Sequence, residues 1–132
     1  MKRGSVVLVL TLFVACLFVV GCAGGLSESD YVQLNGSWIH RLTLGDDLAK
    51  SGEWKGAYET YLSVFTDASR VSPPARYAQY HALFMTYLRK SASAFAARRD
   101  GQIDSWNQLM PEAETAQNAA YEELDRARAG VQ

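Results

Sequence analysis

The chain has 132 residues, with 13 basic and 14 acidic side chains, two histidines and two cysteines. That near-neutral balance excludes the basic footprint of a nucleic-acid-binding domain. The length allows one domain with a modest core, not two.

The first element is an apolar run. Lys2 and Arg3 precede it, and Val6 to Val20 is apolar except for Thr11. These fifteen residues suit the hydrophobic segment of a signal peptide and fall short of the roughly 20 that a spanning helix needs. Small residues follow at Gly21, Ala23, Gly24 and Gly25. Val19, Val20, Gly21 and Cys22, in that order, resemble the lipobox of bacterial lipoproteins.

The resemblance implies that residues 1–21 are removed. Cys22 then becomes the first residue of the mature chain, with diacylglycerol on its sulfur and an amide-linked acyl chain as its only attached groups. Ala23 stands where Asp would signal retention in the inner membrane, so the resemblance implies an outer-membrane anchor facing the periplasm. In a cell with one membrane the same signal implies the outer face of the plasma membrane. An uncleaved N-terminal anchor is the other reading; Lys2 and Arg3 would orient it the same way. It leaves a cysteine after Gly21 without a role. Cys16 lies within the leader and reads as a small hydrophobe.

Removing 21 of the 132 residues leaves 111, and losing Lys2 and Arg3 leaves 11 basic residues against 14 acidic. With Cys22 lipidated no disulfide can form, so stability must come from packing. Residues 22–28 read as a lipidated tether. Its Ala23–Glu28 stretch reaches roughly 20 Å at most, which holds the folded part, residues 29–130, close to the membrane.

From Asp30 onward the apolar spacing is helical throughout. The first helix is expected over 29–50, with Tyr31, Leu34, Trp38, Leu42, Gly45 and Leu48 on one face and a weak point at Gly36. The second is expected over 54–69, carrying Trp54, Ala57, Tyr58, Tyr61, Val64 and Phe65. Ser72-Pro73-Pro74 is a hard boundary. The third is expected over 74–99 with Tyr77, Tyr80, Phe84, Tyr87, Leu88 and Phe95. Its Ala82–Leu88 stretch is apolar nearly all round, which marks it as the central helix. The last segment carries Ile103, Trp106, Met110, Ala113, Ala116, Ala120, Leu124 and Ala127; Pro111 either kinks one helix or starts another. The expected fold is all-α, a small bundle of about four helices.

Leu44, Gly45, Leu48, Gly52, Trp54, Ala57 and Tyr61 resemble a single tetratricopeptide repeat at that family's spacing. The resemblance implies a helical hairpin with Gly45 and Ala57 at a close crossing. It departs from the family at Arg41, where an early Trp is preferred, and at Ser69, which replaces the closing Pro. Ala78 and Gln79 stand where a second repeat would begin with Leu-Gly, and a peptide groove needs about three repeats.

The sequence offers no catalytic constellation, so no enzymatic role and no cofactor are expected. His40 and His81 lack partners at metal-ligand spacing on their own helix faces, and no metal site is expected. Asp46-Asp47 reads as a solvated pair or a partner contact. Glu122 and Arg126 form an i,i+4 pair on a solvated face. A small bundle cannot bury all of its three tryptophans and seven tyrosines, and tyrosine favours a wet edge. Tyr58, Tyr61, Tyr77 and Tyr80, with Tyr87 nearby, are the candidate partner-binding patch. The expected function is a lipid-anchored envelope lipoprotein that binds, pilots or helps assemble another envelope protein. The alternative is a small-molecule or lipid carrier with an apolar cavity in the bundle.

Overall fold

The computed structural model describes residues 25–130. Cys16, Cys22 and the leader lie outside the described residues. Within them the chain forms four helices and no strands: α1 Glu28–Lys50, α2 Trp54–Ser69, α3 Ala78–Arg99 and α4 Ile103–Ala129.

Local chemistry sets the helix ends. Ser27 caps α1, its hydroxyl accepting from the Asp30 amide at 3.1 Å, and Glu28 and Asp30 place negative charge in the first turn, where the helix dipole favours it. Gly52 turns the chain out of α1 with a φ of +81°, a conformation that glycine adopts without a Cβ clash. Gly130 ends α4 in the same way at φ +74°.

Three expectations are refined. Gly36 does not interrupt α1, which runs unbroken through it. The third helix does not begin at Pro74: that residue is extended (φ −59°, ψ 151°), and a single 3₁₀ turn, Ala75–Tyr77, leads into α3. Pro111 lies inside one continuous α4. Pro111 and Asn107 are both exposed, so water can reach the carbonyl that the proline leaves unbonded.

Successive helices pack against one another, and α3 takes the largest share, between α2 and α4. The α1–α4 seam has little close backbone contact, so the bundle is closed on three sides and open on the fourth. Trp38, Tyr80, Phe84 and Leu88 fill its axis and are almost fully buried. Trp38 and Tyr80 each stack on Phe84, at 6.1 and 5.5 Å between ring centroids.

Buried polar groups bind α1 to α3. The Tyr80 hydroxyl donates to Asn35 Oδ1 at 2.7 Å, and the Tyr31 hydroxyl lies 2.9 Å from His81 Nδ1. No buried side-chain nitrogen or oxygen among the described residues lacks a partner. At the pole where α1 begins, Arg76 donates to the Ala127 carbonyl at 2.7 Å and to Glu28 at 3.2 Å. It thereby ties the start of α1 to the end of α4.

Gly45 marks a close helix crossing. A Cβ there would lie 3.0 Å from Thr60 Cγ2 and 3.4 Å from the Tyr61 ring, whereas one at Gly36 would meet nothing within 4 Å. Gly36→Ala is therefore expected to stabilise the domain by about 0.5–1 kcal/mol through the backbone entropy term. Gly45→Ala gains the same term but must push α2 away, and overpacking costs about 1–3 kcal/mol. Urea denaturation should move the two midpoints in opposite directions.

Burial pushes the His81 imidazole below its ordinary pKa, and a smaller contribution from a hydrogen bond with the Ala68 backbone opposes it. The unfolded chain thus takes up a proton that the folded one resists. Stability should be full above the unfolded value of about 6.5 and decline as pH falls below it towards the lower folded value. Urea midpoints measured between pH 7.5 and 5 should show this decline. Replacing His81 with glutamine should remove it.

Candidate functional site

The open seam of the bundle holds a cleft of about 360 Å³. The end of α1 and the start of α2 form one wall with Asp46 and Trp54, α4 forms the other with Trp106, Met110 and Gln117, and α3 supplies the floor with Tyr87 and Phe95. Helix-end packing builds the aromatic part. Trp54 opens α2, Phe95 lies near the end of α3 and Trp106 lies near the start of α4. Their rings meet at 5.3 Å (Trp54–Trp106), 5.9 Å (Phe95–Trp106) and 6.4 Å (Trp54–Phe95). Outside the cleft lining, the Arg98 guanidinium sits 5.0 Å from the Trp54 ring centre.

A chain of hydrogen bonds crosses the cleft. Tyr61 donates to Asp46 Oδ1 at 2.6 Å, the Tyr61 and Tyr87 hydroxyls are 2.8 Å apart, and Gln117 Nε2 donates to Tyr87 at 3.2 Å. Each hydroxyl has one proton. Since Tyr61 spends its proton on Asp46, Tyr87 must donate to Tyr61, and every donor in the chain is directed towards the carboxylate. Burial raises both tyrosines well above their ordinary pKa, so they stay protonated and cannot act as bases at neutral pH. Burial also raises Asp46; the Tyr61 hydrogen bond and the charge of Lys50 oppose this without cancelling it. Lys50 lies 3.7 Å from Asp47, and among the described residues no cation is within ion-pair distance of Asp46.

This arrangement can hold a ligand. It presents flat apolar walls and one carboxylate in a partly desolvated place, the usual composition of a binding cleft. No group of three or more His, Cys, Asp or Glu side chains suited to a metal ion occurs among the described residues. No described helix is long and apolar enough to cross a membrane.

The structure separates the four tyrosines expected to form a patch. Tyr80 is fully buried and Tyr77 nearly so. Tyr77 packs on Tyr31 at 5.2 Å and Tyr80 bonds Asn35, both towards the pole where α1 begins. Tyr61 is buried at the base of the cleft. Tyr58 is half-buried with the Arg99 guanidinium 4.6 Å from its ring centre. The surface patch is therefore corrected: hydrogen-bond partners inside the core let the Tyr61 and Tyr80 rings go fully inward, and Tyr77 packs inward on Tyr31, which the preference for a wet edge did not anticipate. Of the four, Tyr61 belongs to the cleft. Cys22, the lipidation residue, lies outside the described residues.

Trp54, Trp106, Met110 and Gln117 were not expected as site residues; Asp46 was expected, with Asp47, as a solvated pair or a partner contact. Asp46 carried a legible signal. It follows Leu42 by four residues and Trp38 by eight, which places it on the buried stripe of α1, whereas Asp47 points outward. No family model, curated protein or solved structure matches this chain.

Proposed function

We propose that this chain is a lipid-anchored envelope protein without catalytic activity that binds a partner protein in the cleft between α1 and α4 and holds it near the membrane. On this reading the acyl groups on Cys22 anchor it to the outer membrane, facing the periplasm. The repeat-like α1–α2 hairpin supplies one wall of the binding site.

The observation that carries the reading is the cleft and its position. Asp46 lies 18 residues beyond Glu28 on one continuous helix, about 27 Å along its axis. Leu26 already packs against the core, and three residues separate it from Cys22, so Cys22 lies at most about 14 Å from it. With Cys22 as the anchor, the cleft would lie at the pole of the bundle opposite the anchored end. A lipid carrier would be expected to open its cavity near the bilayer and along an apolar axis. Here the axis is filled by Trp38, Tyr80, Phe84 and Leu88, and the cleft contains a carboxylate.

A photoreactive residue placed at Met110, within the cleft, tests the proposal in living cells, with Thr66 on the outside of α2 as the control. One envelope protein, identified by mass spectrometry, should be captured from position 110 and not from position 66. No protein adduct, equal capture from both positions, or an adduct of small-molecule mass would overturn the reading.

A further inference from the structure

We infer that the cleft recognises an arginine side chain presented by the partner polypeptide, stacked on Trp54 and Trp106 with its guanidinium on Asp46. The inference rests on the cleft's being the partner-binding site and adds what the partner must carry.

The first argument is charge. The ionisable groups lining the cleft are Asp46, Glu114 and Lys50, besides Tyr61 and Tyr87, whose hydroxyls are neutral. Lys50 lies beside Asp47 on the solvent side, with most of its side chain exposed. Asp46 is left as a carboxylate that accepts from Tyr61 through Oδ1 and has no cation of its own. An acidic partner group would meet Asp46 and Glu114, with Lys50 as the one cation in the lining. A neutral donor would leave a half-buried charge unpaired, and a buried charge is costly unless it is both paired and hydrogen-bonded. Burial disfavours the ionised form of Asp46, and a cation beside it would favour that form.

The second argument is shape. The carboxylate stands beside flat aromatic walls, a combination that suits a planar cation. A guanidinium stacks on aromatic faces and grips a carboxylate through two parallel N–H groups, whereas an ammonium is a compact and more strongly hydrated point charge. The protein already uses this pairing at the same pole, with Arg98 on Trp54 and Arg99 on Tyr58. The third argument is size. About 360 Å³ is near the lower end of the roughly 300–1,000 Å³ typical of pockets that enclose a whole ligand. An open cleft of that size fits one long side chain entering from a chain that continues outside.

The test uses the full chain in detergent micelles. It is titrated with a capped Ala-Arg-Ala tripeptide and with the same peptide carrying citrulline, the neutral isostere of arginine. Tryptophan fluorescence reports occupancy of the cleft. The arginine peptide should produce a saturable change, and the citrulline peptide should bind at least tenfold more weakly. Asp46→Asn keeps an oxygen for Tyr61 and removes the charge; it should weaken the arginine peptide by a similar factor. Should that variant fail to fold, the two peptides on the unaltered protein decide the matter. No saturable change, or equal binding of both peptides, would overturn the inference. The two proposals fail separately. A partner captured from position 110 without arginine selectivity removes the inference and keeps the binding function. Arginine selectivity without a captured partner removes the partner protein from both proposals and leaves only a cleft selective for a guanidinium group.

Discussion

Trp38→Ala is expected to destabilise the domain by about 3–5 kcal/mol, the range for truncating a large buried aromatic side chain. Trp38 is 1 % exposed. It contacts Tyr31 edge-on at 6.2 Å, His81 at 6.1 Å and the face of Phe84 at 6.1 Å. It is therefore the main wedge between α1 and α3, whose backbones otherwise approach little. Removing the indole leaves a void that the neighbours cannot fill, because Tyr31 is tied to His81 and Tyr80 to Asn35. Small domains are stable by only about 5–15 kcal/mol, so the loss consumes a large share of the margin. Urea denaturation should show a much lower midpoint at an unchanged slope, and Trp38→Phe should lose clearly less. A change below about 1 kcal/mol would mean that α1 does not rest on α3 through this residue.

Cys22→Ser is expected to abolish incorporation of radiolabelled palmitate and to leave a precursor longer than the mature chain by the 21 leader residues. The reason is chemical. On the proposed reading the Cys22 sulfur would be the nucleophile that accepts the diacylglycerol group, and a serine hydroxyl is far less nucleophilic at neutral pH. The consequence for anchoring is large. Each buried CH₂ contributes about 0.8 kcal/mol, a single chain holds only marginally, and two or three chains make release very slow. The competing reading makes the opposite prediction: an uncleaved anchor incorporates no palmitate even before substitution, and its size does not change. The two variants also separate fold from attachment. Trp38→Ala should still be labelled with palmitate, and the Cys22 variant should still show the helical bundle by circular dichroism.

The buried tyrosines change what an alanine scan would report. Tyr77→Ala with Tyr80→Ala, which would probe a surface patch if those rings were exposed, instead removes a core stack and the partner of Asn35. Its main effect would be unfolding, and any loss of partner binding would follow from that. Probes of the proposed binding surface belong at Asp46 and Met110, which line the cleft.

Much of the architecture was legible along the chain. Helical spacing placed α2 within the residues observed and α1 within one residue; the central role of α3 followed from its apolar circumference. These are local properties: periodicity, caps, glycine and proline act over a few residues, so one strand of sequence carries them. The start of α3 was missed by one turn because Pro73-Pro74 holds the backbone extended for longer than a first-turn proline allows.

Tertiary structure decided which polar groups face inward and which helix pair leaves a gap. Tyr77, Tyr80 and Tyr61 occupy the same helical stripes as the core residues around them, and only the positions of Tyr31, Asn35 and Asp46 across the helix interfaces determine that each finds its company inside. The cleft draws residues from all four helices, and its existence depends on α1 and α4 failing to close. That outcome is set by how three successive helix pairs pack and tilt in sum, a property that no window of the sequence contains.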